Sequence, residues 1–132
     1  MSLRVLVVDD DPDIRLYLRM FLEDEGFEVV EASRAVEALT EIGAEAPDVV
    51  LIDVMMPGRS GLDLLVSLRR HPDHRDLPLI VVTGNDRILE DDCQTYLGAH
   101  LGVRGPDGVL SKPVDRAALL AVVRSLCAPA VN

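Results

Sequence analysis

Five times along the chain a short run of buried-type, largely β-branched residues gives way to an amphipathic or loop-like stretch. The runs cover residues 3–8, 27–31, 48–53, 79–82 and 109–111, and the spacing predicts a strand over each. Between the first two, Asp11 supplies an N-cap and Pro12 suits the first helical position. Ile14, Leu18, Phe21 and Leu22 follow at 3.6-residue periodicity, joined by Tyr17, and Gly26 marks the stop. A second helix is predicted over 33–42, with Val36, Leu39 and Ile42 on its inner face. A third bears Leu64, Leu65 and Leu68 after a Pro- and Gly-containing loop, and a fourth is predicted over 86–96. Residues 98–108 are glycine-rich and the least structured in appearance. Asp115 then caps a last helix that turns Leu119, Leu120, Val123 and Leu126 inward.

Strands separated by helices must run parallel, because each helix carries the chain back over the sheet. The fold class expected is therefore α/β, a doubly wound, mostly parallel sheet in one domain over 1–127, with a short tail over 128–132. A length of 132 residues is enough for one core without metal or disulfide staples. Cys93 and Cys127 match no zinc or redox spacing and read as reduced thiols. His71 and His74 fall in a proline-flanked loop, with His100 the only other histidine.

Charge narrows the function classes. With 23 acidic against 13 basic residues the net charge is −10, which disfavours nucleic acid and anionic membranes as partners. Trp is absent, so no stacking platform for single strands is visible. No apolar stretch approaches the ~18 residues of a membrane helix, and no basic-then-apolar leader opens the chain. A cytoplasmic location is expected.

In sheets of this kind chemistry gathers at the carboxyl ends of the strands. Asp9, Asp10 and Asp11 stand after the first strand, Asp53 ends the third, Thr83 follows the fourth and Lys112 the fifth. Taken singly, each reads as a turn or capping residue, and Asp9 to Asp11 suit a helix N-terminus. Together they are carboxylates crowded in one crevice, a pattern that calls for a cation. Oxygen donors suit Mg²⁺ or Mn²⁺ rather than zinc. A lysine and a hydroxyl beside that cation would hold an anion. The set suggests phosphoryl transfer with Asp53 as nucleophile.

The motifs Val7-Val-Asp-Asp-Asp-Pro12, Asp53-Val-Met-Met-Pro-Gly58 with Gly61, Thr83-Gly84 and Ser111-Lys-Pro113 resemble those of the response-regulator receiver domain of two-component signalling. The resemblance covers nearly the whole chain, in order. It implies a flavodoxin-like sheet of strand order 2-1-3-4-5. It implies that Asp53 is the phosphoacceptor for a phosphohistidine on a sensor histidine kinase or phosphotransfer protein. Asp9 and Asp10 would bind Mg²⁺ (or Mn²⁺), Asp10 directly and Asp9 through water, with the backbone carbonyl of Met55 completing the site. Lys112 would pair with the phosphoryl group, and Thr83, with the amide of Gly84, would move to bond it. Output would pass to a downstream protein or to an output domain not in this chain, with weak or phosphorylation-dependent dimerisation. Catalysis would extend to the domain's own phosphorylation and dephosphorylation, not to turnover of an external substrate.

Two departures stand out. Val109 occupies the position, three before the lysine, where the family commonly has an aromatic partner for the threonine. The interval from Thr83 to Lys112 is also longer than usual, the extra length falling near 98–108. A remodelled output face and an altered dimerisation mode are expected. These departures keep open a receiver-like interaction module that works without phosphate. A phosphatase of another doubly wound family would need a general acid just after its nucleophile, where Val54 and Met55 stand instead.

Overall fold

The computed structural model describes residues 3–54, 61–84 and 103–127. Met55, the helix predicted over 86–96, Cys93, His100, residues 98–102 and the tail 128–132 lie outside the described residues.

Strands β1 (Arg4–Val8), β2 (Glu28–Ala32), β3 (Val49–Asp53), β4 (Leu79–Thr83) and β5 (Gly108–Ser111) form one sheet in the order β2-β1-β3-β4-β5. Every pairing is parallel. The helices described are α1 (Pro12–Asp24), α2 (Ala35–Ala44), α3 (Gly61–Arg70) and α4 (Arg116–Cys127). The three central strands are apolar on both faces, as strands covered from both sides must be. At the β2 edge the partly exposed Glu28 and Glu31 blunt the open ladder.

Alternate residues feed two cores. Leu6, Val8, Val50, Ile52, Leu79 and Val81 pack under α2 and α3. Val5, Val7, Val49, Leu51, Ile80 and Val82 pack under α1 and α4. The chain leaves β1 toward one face and β3 toward the other. The crevice where those exits diverge opens beyond Val8 and Ile52, which are partners in register.

Both helix caps read from the sequence are formed. Asp11 accepts from the Asp13 amide at 2.9 Å, and Asp115 from the Ala118 amide at 2.9 Å. Gly26 takes a positive φ of 88° and ends α1. The second strand begins one residue later than expected, at Glu28, and runs to Ala32. The inner face of α2 also differs: Val36 is 64% exposed, whereas Ala35, Ala38 and Ile42 are buried. Residues 35, 38 and 42 share one helical stripe, and Val36 lies a hundred degrees or so round from its start. His71 and His74 sit in the turn after α3 with their rings stacked at 4.4 Å.

Entry into β5 is fixed by a buried guanidinium. Arg69, at the end of α3, donates to the carbonyls of Arg75 and Leu77 and to Asp107 Oδ2 at 2.9 Å. The same Asp107 oxygen accepts from the Leu79 amide, so α3, β4 and the start of β5 are tied at one carboxylate. That tie sets where β5, and the lysine after it, comes to rest.

Candidate functional site

Asp9 continues β1 by one residue. Its amide donates to the Ala32 carbonyl at 3.1 Å, and its Oδ1 accepts from the Asp11 amide at 2.9 Å. The residue is buried, and its other oxygen, Oδ2, accepts no hydrogen bond of good geometry. Asp10, next along, is exposed. Asp53 ends β3 and is buried, opposite Val82 in register. One carboxylate oxygen from each of Asp9, Asp10 and Asp53 lies within 4.8 Å of the others.

Close approach of α3 shapes the floor. A Cβ on Gly61 would collide with the carbonyl oxygen of Asp53 and meet Ile52 Cγ2 at 2.7 Å. Only glycine lets the first turn of α3 lie against the end of β3 here.

Thr83 ends β4 and is buried. Its partner in register is Ser111, and its carbonyl accepts from the Lys112 amide at 2.8 Å. Lys112 therefore leaves β5 level with Thr83 and Gly84, and the Lys112–Pro113 peptide is cis. Lys112 Nζ stands 3.2 Å from Asp9 Oδ2 and 3.4 Å from Asp53 Oδ2. Asp9 with Asp10, Asp53, Thr83 and Lys112, from four strand ends far apart in sequence, thus stand together at the carboxyl edge of the sheet. Val109 lies within β5, opposite Val81.

The electrostatics follow from burial. Desolvation raises the Asp9 carboxyl above the ordinary carboxylate range, and the charge of Asp53 adds to it; the Asp11 amide and Lys112 pull the other way. Desolvation would lower Lys112, but the carboxylates of Asp9 and Asp53 outweigh it and hold the ammonium above its usual range. Three carboxylates face one ammonium, so negative charge is in surplus. An all-oxygen donor set, with a buried carboxylate oxygen that has the Lys112 ammonium near it but no well-formed hydrogen bond, fits a hard divalent cation such as Mg²⁺.

Two contributors were not read from the sequence. Arg15 donates to the Asp9 carbonyl at 2.6 Å, and Tyr17 Oη donates to the Val114 carbonyl at 3.1 Å beside the lysine loop. The one available signal was position: both face back from the first turns of α1, just after the acidic run. The described residues contain no helix long and apolar enough to cross a membrane.

Residues 5–124 match the family model described as the response regulator receiver domain. An uncharacterized 14.6 kDa protein in the sodA1 3′ region of Leptolyngbya boryana is 41% identical over 123 residues, 93% of this chain and 88% of that protein. The response regulator MprA of Mycobacterium bovis is 40% identical over 126 residues, 96% of this chain. The chain spans about half the length of that relative, 51%. Among solved structures, the chemotaxis protein CheY4 of Vibrio cholerae aligns with a TM-score of 0.80 at 27% identity, covering 96% of this chain and 99% of that one.

Proposed function

The chain belongs to the response regulator receiver domain family, the phosphoacceptor modules of two-component signalling, and from that premise we propose that Asp53 is its phosphoacceptor. The observation that carries the assignment is the placement of Lys112 Nζ, 3.2 Å from Asp9 and 3.4 Å from Asp53, beside a cluster of three carboxylates. Asp9, Asp10 and Asp53, with the backbone carbonyl of Met55, would hold Mg²⁺. When bound, the ion supplies positive charge to the phosphoryl oxygens and relieves the repulsion among the carboxylates.

An oxygen of Asp53 attacks the phosphorus of a phosphohistidine. The O–P bond forms as the P–N bond breaks, and the electron pair of that bond leaves with the imidazole nitrogen of the donor. Burial keeps the environment of Asp53 poor in water, which favours the acyl phosphate over hydrolysis. Lys112 exchanges its contact with Asp53 for the transferred phosphoryl group and stays anchored by Asp9. The hydroxyl of Thr83 and the amide of Gly84 donate to the remaining phosphoryl oxygens. The added dianionic group draws on groups from β4 and β5 at once, which biases the surface those strands carry.

The donor is a sensor histidine kinase or a phosphotransfer protein, in a cytoplasmic setting. The recipient of the signal is a downstream protein or an output domain. Val109, in place of an aromatic residue, removes the usual ring that would follow Thr83, so the switched surface differs from the common one. The same valine favours a second reading, a module that binds its partner regardless of phosphate. A partner affinity unchanged on phosphorylation would select that reading.

Site mapping tests the assignment. Treatment with a small-molecule phosphodonor and Mg²⁺, then borohydride, converts an aspartyl phosphate to homoserine. Peptide sequencing by mass spectrometry should find homoserine at position 53. Homoserine at position 9 or 10 instead would overturn the assignment.

A further inference from the structure

We propose that Arg15 is a positioning residue for the divalent-cation site, acting through the peptide that joins Asp9 to Asp10. The inference rests on the reading of the acidic cluster given above.

Asp10 is exposed, so packing does little to fix its carboxylate. Its place must come from the backbone. The Asp9 carbonyl and the Asp10 nitrogen and Cα share one rigid plane, so whatever orients that carbonyl orients Asp10. Arg15 Nη1 donates to the Asp9 carbonyl at 2.6 Å, the short distance of a charge-assisted bond. Its Nε is held in turn by Glu31 Oε1 at 3.0 Å, and Glu31 Oε2 is held by Arg19 at 2.6 Å. Glu31 and Ala32 are neighbours at the end of β2, and the Ala32 carbonyl takes the Asp9 amide. The end of β2 therefore grips Asp9 on both sides, directly at its N–H and through Arg15 at its C=O. With Oδ1 occupied by the Asp11 amide, Asp9 offers a cation its Oδ2, which Lys112 Nζ approaches at 3.2 Å, beside the Asp10 carboxylate.

The sign of the effect separates positioning from simple electrostatics. Arg15 is a cation close to a cation site. If only its charge mattered, removing it would tighten Mg²⁺ binding. If its hold on the peptide matters, removing it weakens binding despite the lost repulsion.

The test is calorimetric titration of the whole chain with Mg²⁺ alone, alongside thermal unfolding without metal. Arg15→Ala should weaken Mg²⁺ roughly tenfold, the lower end of what lost ligand-orienting bonds cost. Arg15→Lys, which keeps a donor for the carbonyl, should recover part of that loss. Arg19→Ala, which loses Glu31 but not the Asp9 carbonyl, should bind as wild type does even if its unfolding temperature falls as far. Unchanged or tighter binding by Arg15→Ala overturns the inference, as does equal weakening by Arg19→Ala. If Arg15→Ala does not fold, Arg15→Gln is read by the same criteria. A wild-type chain that fails to bind Mg²⁺ would instead remove the reading of the acidic cluster, and this inference with it.

Discussion

Asp9 illustrates what a single residue here gives up in stability. It is buried, one of its oxygens lacks a well-formed hydrogen bond, and a second carboxylate lies close by. Burial, with Asp53 adding to it, raises its carboxyl above the ordinary value of 3.8. The folded state then holds the proton more tightly than the unfolded state. The stability this residue contributes is full below pH 3.8 and is lost as pH rises through the raised folded value. At neutral pH without metal, Asp9→Asn should therefore stabilise the fold, since it removes a buried carboxylate that Asp53 repels and leaves Lys112 paired with Asp53. Denaturant unfolding at neutral pH and near pH 3 checks this, since the gain should vanish at the lower pH. The same variant should bind Mg²⁺ more weakly, the pattern of a site kept for function at a cost in stability. A sequence can place such a residue but not its hydrogen bonds. Arg15 shows why: its acceptor is a backbone carbonyl, which has no signature in the amino-acid order.

At the scale of elements, the end of β3 and the start of α3 are fitted to one another. Gly61→Ala would drive a methyl group into the Asp53 carbonyl and Ile52. Neither can retreat cheaply, because both belong to the central strand. Overpacking of this kind costs about 1–3 kcal/mol, and the lower unfolding temperature should come with slower phosphorylation, as Asp53 moves with its carbonyl. A variant with normal rate and stability would show that α3 can shift freely. The strands, caps and α1 stop were legible because their signals are strong: continuous β-branched runs, Asp11 with Pro12, Asp115 and Gly26. The inner face of α2 was misread because alanine carries a weak apolar signal and valine a strong one. Ala35 and Ala38 nevertheless take the buried stripe, and Val36 is left to solvent. The buried Arg69 tie to Asp107 was equally hidden, since it joins residues from α3 and the approach to β5.

For the whole molecule, topology turns separate sequence fragments into one site. The order β2-β1-β3-β4-β5 puts β1 and β3 side by side and sends the chain off in opposite directions from their ends. Asp9 and Asp53 meet there, with Lys112 brought from β5 to bridge them. Strand alternation alone made this convergence legible, because all the candidate residues stood at carboxyl ends. The greater length near 98–108 and the valine at 109 were legible only as departures from the family's pattern. On the function proposed above, the molecule carries one metal-dependent phosphoacceptor, at Asp53. Intact-protein mass after incubation with Mg²⁺ and a small-molecule phosphodonor tests it most directly. A single phosphoryl adduct on the wild-type chain, absent from Asp53→Asn and from an EDTA control, is the predicted result. An adduct that persists in Asp53→Asn or without Mg²⁺, or no adduct on a folded wild-type chain that binds Mg²⁺, would contradict it.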